Sequence, residues 1–217
     1  MTEGDELPVG SGWKSDMMLI MRSQAPTARA TAKEATHERI VEVAARAIRR
    51  SGYGGTGVAD IMKEAGLTHG AFYAHFASRE AMLAEAADRA GAESVAASAQ
   101  VAAAAPAPQV LRALVRAYLS KTHVENAEIG CPVAALGSEM PRQAPEVRRA
   151  ATRRIKEMID LVSRQSRGRG RAGAHERALA TVATMVGALL LARAVDEPAL
   201  SDAIRKAAVN HLAPGGG

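Results

Sequence analysis

Apolar residues recur at helical spacing along most of the chain. Val58, Ile61, Met62 and Ala65 occupy positions i, i+3, i+4 and i+7, which is one face of a two-turn helix. Alternating apolar and polar positions, the mark of half-buried strands, are scarce. The pattern therefore predicts an all-α fold. Longer apolar stripes lie within residues 33–51, 78–100, 111–118, 147–162, 179–195 and 199–212.

Two short helices joined by a tight turn are predicted between residues 58 and 76. Gly66 suits the left-handed conformation that ends the first helix, and Leu67 follows it as an apolar plug. Thr68 is placed to cap a second helix over residues 69–76, and Ser78 to cap a longer third helix. This arrangement is typical of proteins that present a helix to the major groove of DNA.

The second short helix has an inner and an outer face. At about 100° per residue, Phe72 and Phe76 point back onto the preceding helices, and His75 falls near this buried arc. His75 is therefore at least as suited to packing as to contact with DNA. An ordinary helical hairpin with a solvated outer face is the alternative interpretation. The outer face would carry His69, Gly70, Tyr73 and Ala74.

The run VADIMKEAGLTHGAFYAHFASREAML, residues 58–83, resembles the N-terminal domain of the TetR family of one-component transcriptional regulators. The resemblance covers about residues 34–90 and rests on the T-x-x-x-F-Y-x-H-F core of residues 68–76. It implies an all-helical homodimer whose small-molecule domain controls its affinity for DNA. It also implies that the Arg79 side chain contacts a phosphate. The candidate DNA-binding residues are Thr68, His69, Gly70, Tyr73, His75 and Arg79.

Two positions depart from the family pattern. Gly57 stands where the family usually has a Ser or Thr helix cap, so we expect a weaker cap there. Ala74 is small, which removes one potential base contact.

The 217 residues suffice for a small DNA-binding module and a larger helical domain. Three basic residues are candidates for an arm in an adjacent minor groove: Arg22, Arg29 and Lys33. A disordered extension fits the composition of residues 1–33 better. The predicted divisions are a disordered N-terminal extension (1–33), a helix-turn-helix domain (34–80), a helical effector-binding and dimerisation domain (81–212) and a tail (213–217).

The overall charge of +5 is distributed unevenly. Nine Lys and Arg face eight Asp and Glu in residues 29–90, against eleven and four in residues 141–177. The helix-turn-helix pattern, rather than net charge, therefore carries the DNA-binding prediction. A single cysteine permits no internal disulfide framework, and the N-terminus has no basic secretory leader, so we expect a cytoplasmic protein.

Catalytic and cofactor motifs are weak or missing. Residues 52–57 match G-x-G-x-x-G, but a predicted helix precedes them where a dinucleotide site requires a strand. The six histidines form no H-E-x-x-H motif or Cys/His cluster. We therefore expect a protein that is not an enzyme and has no metal or cofactor. A basic loop is predicted at residues 164–174.

Residues 179–195 are apolar almost all round. Thr181, Thr184 and Arg193, together with the short length, argue against a membrane span. A soluble helix of this kind must be covered on two sides, one of which a second copy can supply. The resemblance implies that the two terminal helices pair with their mates in a four-helix interface. The predicted interface residues are Val186, Leu189, Leu190, Arg193, Leu200 and Ile204.

An effector pocket in the C-terminal part would have few rings, because only Tyr118 among six aromatic residues lies beyond Phe76. A small, largely aliphatic molecule therefore suits it better than a flat aromatic cation. Cys131, before Pro132, is expected at a helix N-cap as a buried small residue or, alternatively, as an activated thiol. The candidate effector-binding residues are Tyr118, Thr122, Cys131, Met158 and Met185.

Together these features predict a dimeric repressor released from a palindromic operator by a small molecule. An activator or ligand-independent regulator with the same DNA head, and a thiol-responsive repressor acting through Cys131, are the alternatives. A purely structural dimerisation protein fits less well, because it would not need the filled core of residues 68–76.

Overall fold

The structure, a computed structural model, describes residues 28–165 and 171–214. These residues contain helices and turns and no strand, which confirms the predicted all-α fold. The chain divides into two compact units, Met1–Glu38 and Arg39–Gly217. The described residues of the first unit are helical, and the second unit contains the remaining described residues.

Nine α-helices are described, with four short 3₁₀ helices between them. The α-helices are α1 (Ala28–Ser51), α2 (Val58–Glu64), α3 (Arg79–Ala104), α4 (Val110–Tyr118), α5 (Lys121–Glu125), α6 (Pro132–Leu136), α7 (Pro145–Gln165), α8 (Arg171–Ala194) and α9 (Pro198–Leu212). The 3₁₀ helices are His69–Ala74, Ala107–Gln109, Ala127–Ile129 and Met140–Arg142.

Some predicted boundaries move. Helix α1 begins at Ala28, so the predicted extension to residue 33 is too long, because Ala-rich residues 28–33 continue the helix. Arg22 of the proposed arm lies outside the described residues. The predicted basic loop is also too long: α7 runs to Gln165 and α8 begins at Arg171, with residues 166–170 outside the description.

Glycines set the turns of the helix-turn-helix segment as predicted. Gly66 has φ +72°, and Leu67 packs against the core beneath it. Gly57 is the N-cap of α2 and contributes no side-chain cap. Ser78 caps α3 by accepting a hydrogen bond from the Ala81 backbone N–H at 3.0 Å.

The second short helix differs from its prediction. It is a 3₁₀ helix that ends at Ala74 rather than an α-helix reaching Phe76. Thr68 holds its N-cap position, but the Thr68 hydroxyl makes no capping hydrogen bond, so the predicted cap is wrong. The tighter 3₁₀ turn is typical of short segments held by tertiary packing, here around Phe72.

One continuous apolar core supports this segment. It joins α1, α2, the 3₁₀ helix His69–Ala74 and the first turns of α3, and it extends to Leu136 and Val147. Burial of such large side chains stabilises the fold by about 1.5–3 kcal/mol each. Fully buried members include Ile40, Ile48, Ile61, Met62, Met82 and Leu83.

The C-terminal helices pack in series: α3 lies along α7, α7 along α8, and α8 along α9. Within α8, the segment Gly173–Ala194 is the one helix of the described chain long and apolar enough to cross a membrane, by length and composition only. The core helices of soluble proteins share this length and composition. A second core of this region gathers Val115, Tyr118, Leu119, Met185, Leu189 and Ala208.

Three of the predicted interface residues face inward. Leu189 is 0 % exposed in the single chain, so its assignment to the dimer interface is wrong. The Arg193 guanidinium turns into the chain and donates to the backbone oxygens of His123 and Val124. Val186 is half-buried against two inner cores. Because α8 is apolar all round, helical spacing alone cannot tell its inner side from its outer side.

Candidate DNA-binding face and inner cavity

An exposed face runs along the 3₁₀ helix His69–Ala74. We call it the outward face and define it by Thr68, His69, Gly70, Tyr73 and Ala74, all exposed. Tyr73 is 71 % exposed. The structure thus places His69, Gly70, Tyr73 and Ala74 on the side that the helical spacing predicts.

Two buried rings hold this face in place. Phe72 and Phe76 are 2 % and 4 % exposed, and their rings stack with centroids 5.5 Å apart. The Tyr73 ring stands edge-on to Phe72 at 5.3 Å and to His69 at 6.1 Å. The ring and hydroxyl of Tyr73 are therefore presented outward from a packed base. Nothing approaches a Cβ built on Gly70, so the backbone there is open to close approach.

The two remaining candidates lie at the edge of this face. His75 is half-buried, with its ring centroid 6.5 Å from that of Phe76. The Arg79 guanidinium donates to the backbone oxygens of Tyr53 and Thr56, the latter at 3.1 Å. Arg79 thus braces the turn between α1 and α2, and its contact with a DNA phosphate stays a prediction.

That turn, residues 52–57, is a junction between distant parts of the chain. The Glu139 carboxylate accepts hydrogen bonds from the backbone N–H groups of Tyr53 at 2.9 Å and Gly54 at 3.4 Å. Gly52 has φ +75°, and a Cβ there would lie 2.4 Å from the carboxylate. The glycines therefore admit Glu139, and helix α1 stands where a dinucleotide site would need a strand.

Arg49 forms a second link at the end of α1. Its side chain is 1 % exposed and donates to the Glu93 carboxylate at 2.8 Å. It also reaches the backbone oxygens of Ala90 and Gly130, both at 3.5 Å. The neighbouring Arg50 pairs with Glu64 at 2.9 Å and with Glu128 at 3.6 Å. The junction is therefore bound by charged hydrogen bonds as well as by apolar contacts.

Behind the junction lies a cavity of about 50 Å³, here called the inner cavity. Four of the five predicted effector-binding residues line it: Tyr118, Cys131, Met158 and Met185. The fifth, Thr122, lines a neighbouring, more open groove of about 270 Å³. Tyr118 and Cys131 border both spaces, so they lie at the boundary between groove and cavity.

Tyr53 also lines the inner cavity, although it belongs to the turn beside the outward face. Tyr53 is 1 % exposed, and burial together with the Glu139 carboxylate raises its pKa. Tyr118 is 6 % exposed, and burial, followed by the nearby Cys131 thiol, raises its pKa. Both phenols are therefore neutral hydrogen-bond donors at neutral pH.

Cys131 occupies the N-cap of α6, with Pro132 at the first helical position, as predicted. Its backbone N–H donates to His123 Nε2 at 2.9 Å. Nδ1 of His123 must then carry the ring proton, which it donates to the Tyr118 backbone oxygen at 2.6 Å. Burial, and then the charge of Arg193, lower the pKa of His123 against the opposing hydrogen bond to Tyr118.

Sequence reasoning missed Tyr53, Glu139 and Arg49. Arg49 carried a signal, since it continues the apolar line of Val41 and Ala45 at four-residue spacing. Tyr53 and Glu139 carried none, because 86 residues separate them. In the described part of the chain, no group of three or more His, Cys, Asp or Glu is placed to hold a metal.

Known proteins match both halves of the chain. Residues 40–86 match the family described as bacterial regulatory proteins, tetR family, and residues 106–207 match the C-terminal domain described as transcriptional regulator LmrA/YxaF-like. An uncharacterized HTH-type transcriptional regulator of Mycobacterium tuberculosis is 34 % identical, over 72 % of this chain and 83 % of that protein.

Solved structures share the fold. A TetR transcriptional regulator from Chloroflexus aurantiacus superposes with a TM-score of 0.71 at 26 % identity, covering 85 % of this chain and 97 % of that one. A TetR-family regulator from Agrobacterium tumefaciens gives 0.69 at 23 % identity, covering 83 % and 98 %. With the helix-turn-helix head and helical C-terminal part described above, these matches show that the chain belongs to the TetR family of bacterial transcriptional regulators.

Proposed function

We propose that this regulator is a homodimeric repressor that binds a palindromic operator through the outward face and is released by a small molecule in the inner cavity. The observation that carries the proposal is the outward face itself. Tyr73 is 71 % exposed while the adjacent Phe72 is 2 % exposed, so buried rings anchor the face and most of its outer surface stays open to a partner. Base edges and phosphates are the partners that such groups would meet.

The proposed dimer surface lies on α8 and α9. Leu190, Leu191 and Leu200 are 38 %, 52 % and 44 % exposed, and the small residues Ala183 and Gly187 continue the stripe along α8. Ile204 lies half-buried beside it. A second copy would cover these side chains and set two outward faces about a two-fold axis, which matches a palindromic site.

The effector assignment rests on the inner cavity. Its walls join residues of the C-terminal helices to Tyr53 in the turn before α2, so an occupant would touch both parts of the protein. The thiol-responsive alternative draws less support, because Cys131 is only 5 % exposed, and reactive cysteines lie in partly exposed surroundings. An activator with the same head would share every DNA contact and differ only in the effect on transcription.

The DNA-binding part is tested by fluorescence anisotropy with labelled DNA from upstream of the regulator's own gene. We expect Tyr73→Ala to weaken binding by about 1–3 kcal/mol, while circular dichroism stays unchanged. The control is Thr152→Ala, an exposed position on α7, which should bind as the wild type does. Equal affinities for wild type and Tyr73→Ala would remove this helix as the DNA reader.

The dimer is tested by sedimentation velocity. We expect a wild-type homodimer at micromolar concentration and a folded monomer for the double variant Leu190→Asp, Leu191→Asp. Leu189→Ala is the contrasting variant: it should remain dimeric but lose about 2–5 kcal/mol of stability, because Leu189 is buried within one chain. A wild-type monomer would overturn the proposed assembly.

A further inference from the structure

Two buried tyrosine hydroxyl groups beside the inner cavity lack a strong acceptor. The Oη atoms of Tyr53 and Tyr118 are fully buried, and no oxygen or nitrogen atom of the described chain accepts a hydrogen bond from either; the Cys131 thiol, a weak partner, lies beside Tyr118. Both side chains line the same cavity. A buried donor without an acceptor destabilises the fold by about 1–3 kcal/mol, whereas phenylalanine would fill either position without that penalty. The pair therefore points to a polar occupant.

The rest of the cavity wall is apolar and adaptable. Met140, Met158 and Met185 line it, and methionine side chains change shape readily. A cavity of about 50 Å³ is smaller than most ligands, so an occupant must push these side chains and the tyrosine rings aside. A flexible aliphatic body suits such a space better than a rigid flat ring.

The charge of the occupant follows from the one cationic wall residue, Arg154. Its guanidinium already donates to Asp88 at 2.9 Å and to Glu157 at 2.8 Å. An anion would have to compete with these two carboxylates. None of the described residues that line the cavity is acidic, so a cation would lack a direct partner in its wall. We infer that the inner cavity binds an uncharged aliphatic molecule with a carbonyl-type acceptor, held by the hydroxyls of Tyr53 and Tyr118. This inference rests on the proposed ligand-responsive function.

Tyr53 is also the residue through which occupancy reaches the DNA-binding head. Its backbone N–H is held by Glu139, and its backbone oxygen accepts a hydrogen bond from Arg79, the first residue of α3. Displacement of the Tyr53 ring therefore pulls on the turn that precedes α2 and on the start of α3. These two helices flank the outward face, so a small shift of either helix changes the position of the Tyr73 side chain relative to DNA.

The test uses the whole 217-residue chain and three probes of equal carbon number: octan-2-one, octanoate and octylammonium. Calorimetric titration should show octan-2-one binding to the wild type and neither ion binding comparably. Tyr53→Phe and Tyr118→Phe should each weaken ketone binding by about tenfold, the loss of one hydrogen bond. Tyr73→Phe, which removes an exposed hydroxyl, is the matched control for ketone affinity. Absent ketone binding, or equal ketone affinity in all three variants, would overturn the inference.

A second measurement separates the coupling from the proposed function. The operator dissociation constant is measured with and without octan-2-one in each protein. The constant with ketone divided by the constant without it should exceed one in the wild type and fall toward one in Tyr53→Phe. Ketone binding without a change in operator affinity would sink the coupling role of Tyr53. Failure of the unliganded wild type to bind operator DNA would instead contradict the proposed function. The calorimetric titration would still test ketone binding in that case.

Discussion

The outward face and the junction behind it use polar side chains in opposite ways. On the outward face, Tyr73 and His69 point to solvent, and apolar packing beneath them supplies the stability. At the junction, Arg49 and Glu139 are turned inward, and each is bound to backbone or carboxylate groups. We therefore expect a side chain lost from the outward face to affect stability little, and one lost from the junction to destabilise the fold.

The largest expected effect breaks the junction at Arg49. Arg49→Ala should lower the free energy of unfolding by about 2–3 kcal/mol, because the Glu93 carboxylate and the backbone oxygens of Ala90 and Gly130 lose their buried donor. The matched control is Arg46→Ala on the same helix, where a partly exposed pair with Glu42 contributes about 0.5 kcal/mol or less. Urea denaturation gives both values. Equal losses would show that the Arg49 link contributes no more than a surface pair.

A smaller effect separates two helix-capping positions beside the outward face. Ser78→Ala should destabilise the protein by about 1 kcal/mol, because the Ser78 hydroxyl accepts a hydrogen bond from Ala81. Thr68→Ala should change stability by less than about 0.5 kcal/mol, because the Thr68 hydroxyl caps nothing. Thermal unfolding monitored by circular dichroism measures both. A loss at Thr68 as large as that at Ser78 would mean that Thr68 acts in the fold.

The smallest expected effect is a pH dependence of stability that arises at His123, behind the outward face. The pKa of His123 in the folded chain lies below its ordinary value of about 6.5. The unfolded chain therefore binds the proton first as the pH falls. Stability from this group is full above about pH 6.5 and declines as pH drops through the folded pKa. His123→Gln should flatten this decline in urea titrations at several pH values. An unchanged slope in the variant would assign the decline to other groups.

Local patterns predicted the DNA-binding head and much less of the junction. Gly66, Leu67 and the Phe72–Phe76 pair act over a few residues, so spacing alone placed them correctly. Thr68 was misjudged because tertiary packing selects a 3₁₀ turn there. Leu189 was misjudged because both sides of α8 are apolar. The link from Tyr53 to Glu139 depends on how distant segments meet, which no local pattern encodes.

The most direct measurement for the central claim is the selection of binding sites from a pool of random DNA. The wild-type protein should enrich a palindrome whose half-sites lie about one helical turn, or a multiple of it, apart. Tyr73→Ala should relax the preference at the same base positions in both half-sites while retaining weaker binding. No enrichment by the wild type, or an identical site selected by Tyr73→Ala, would contradict recognition of DNA through the outward face.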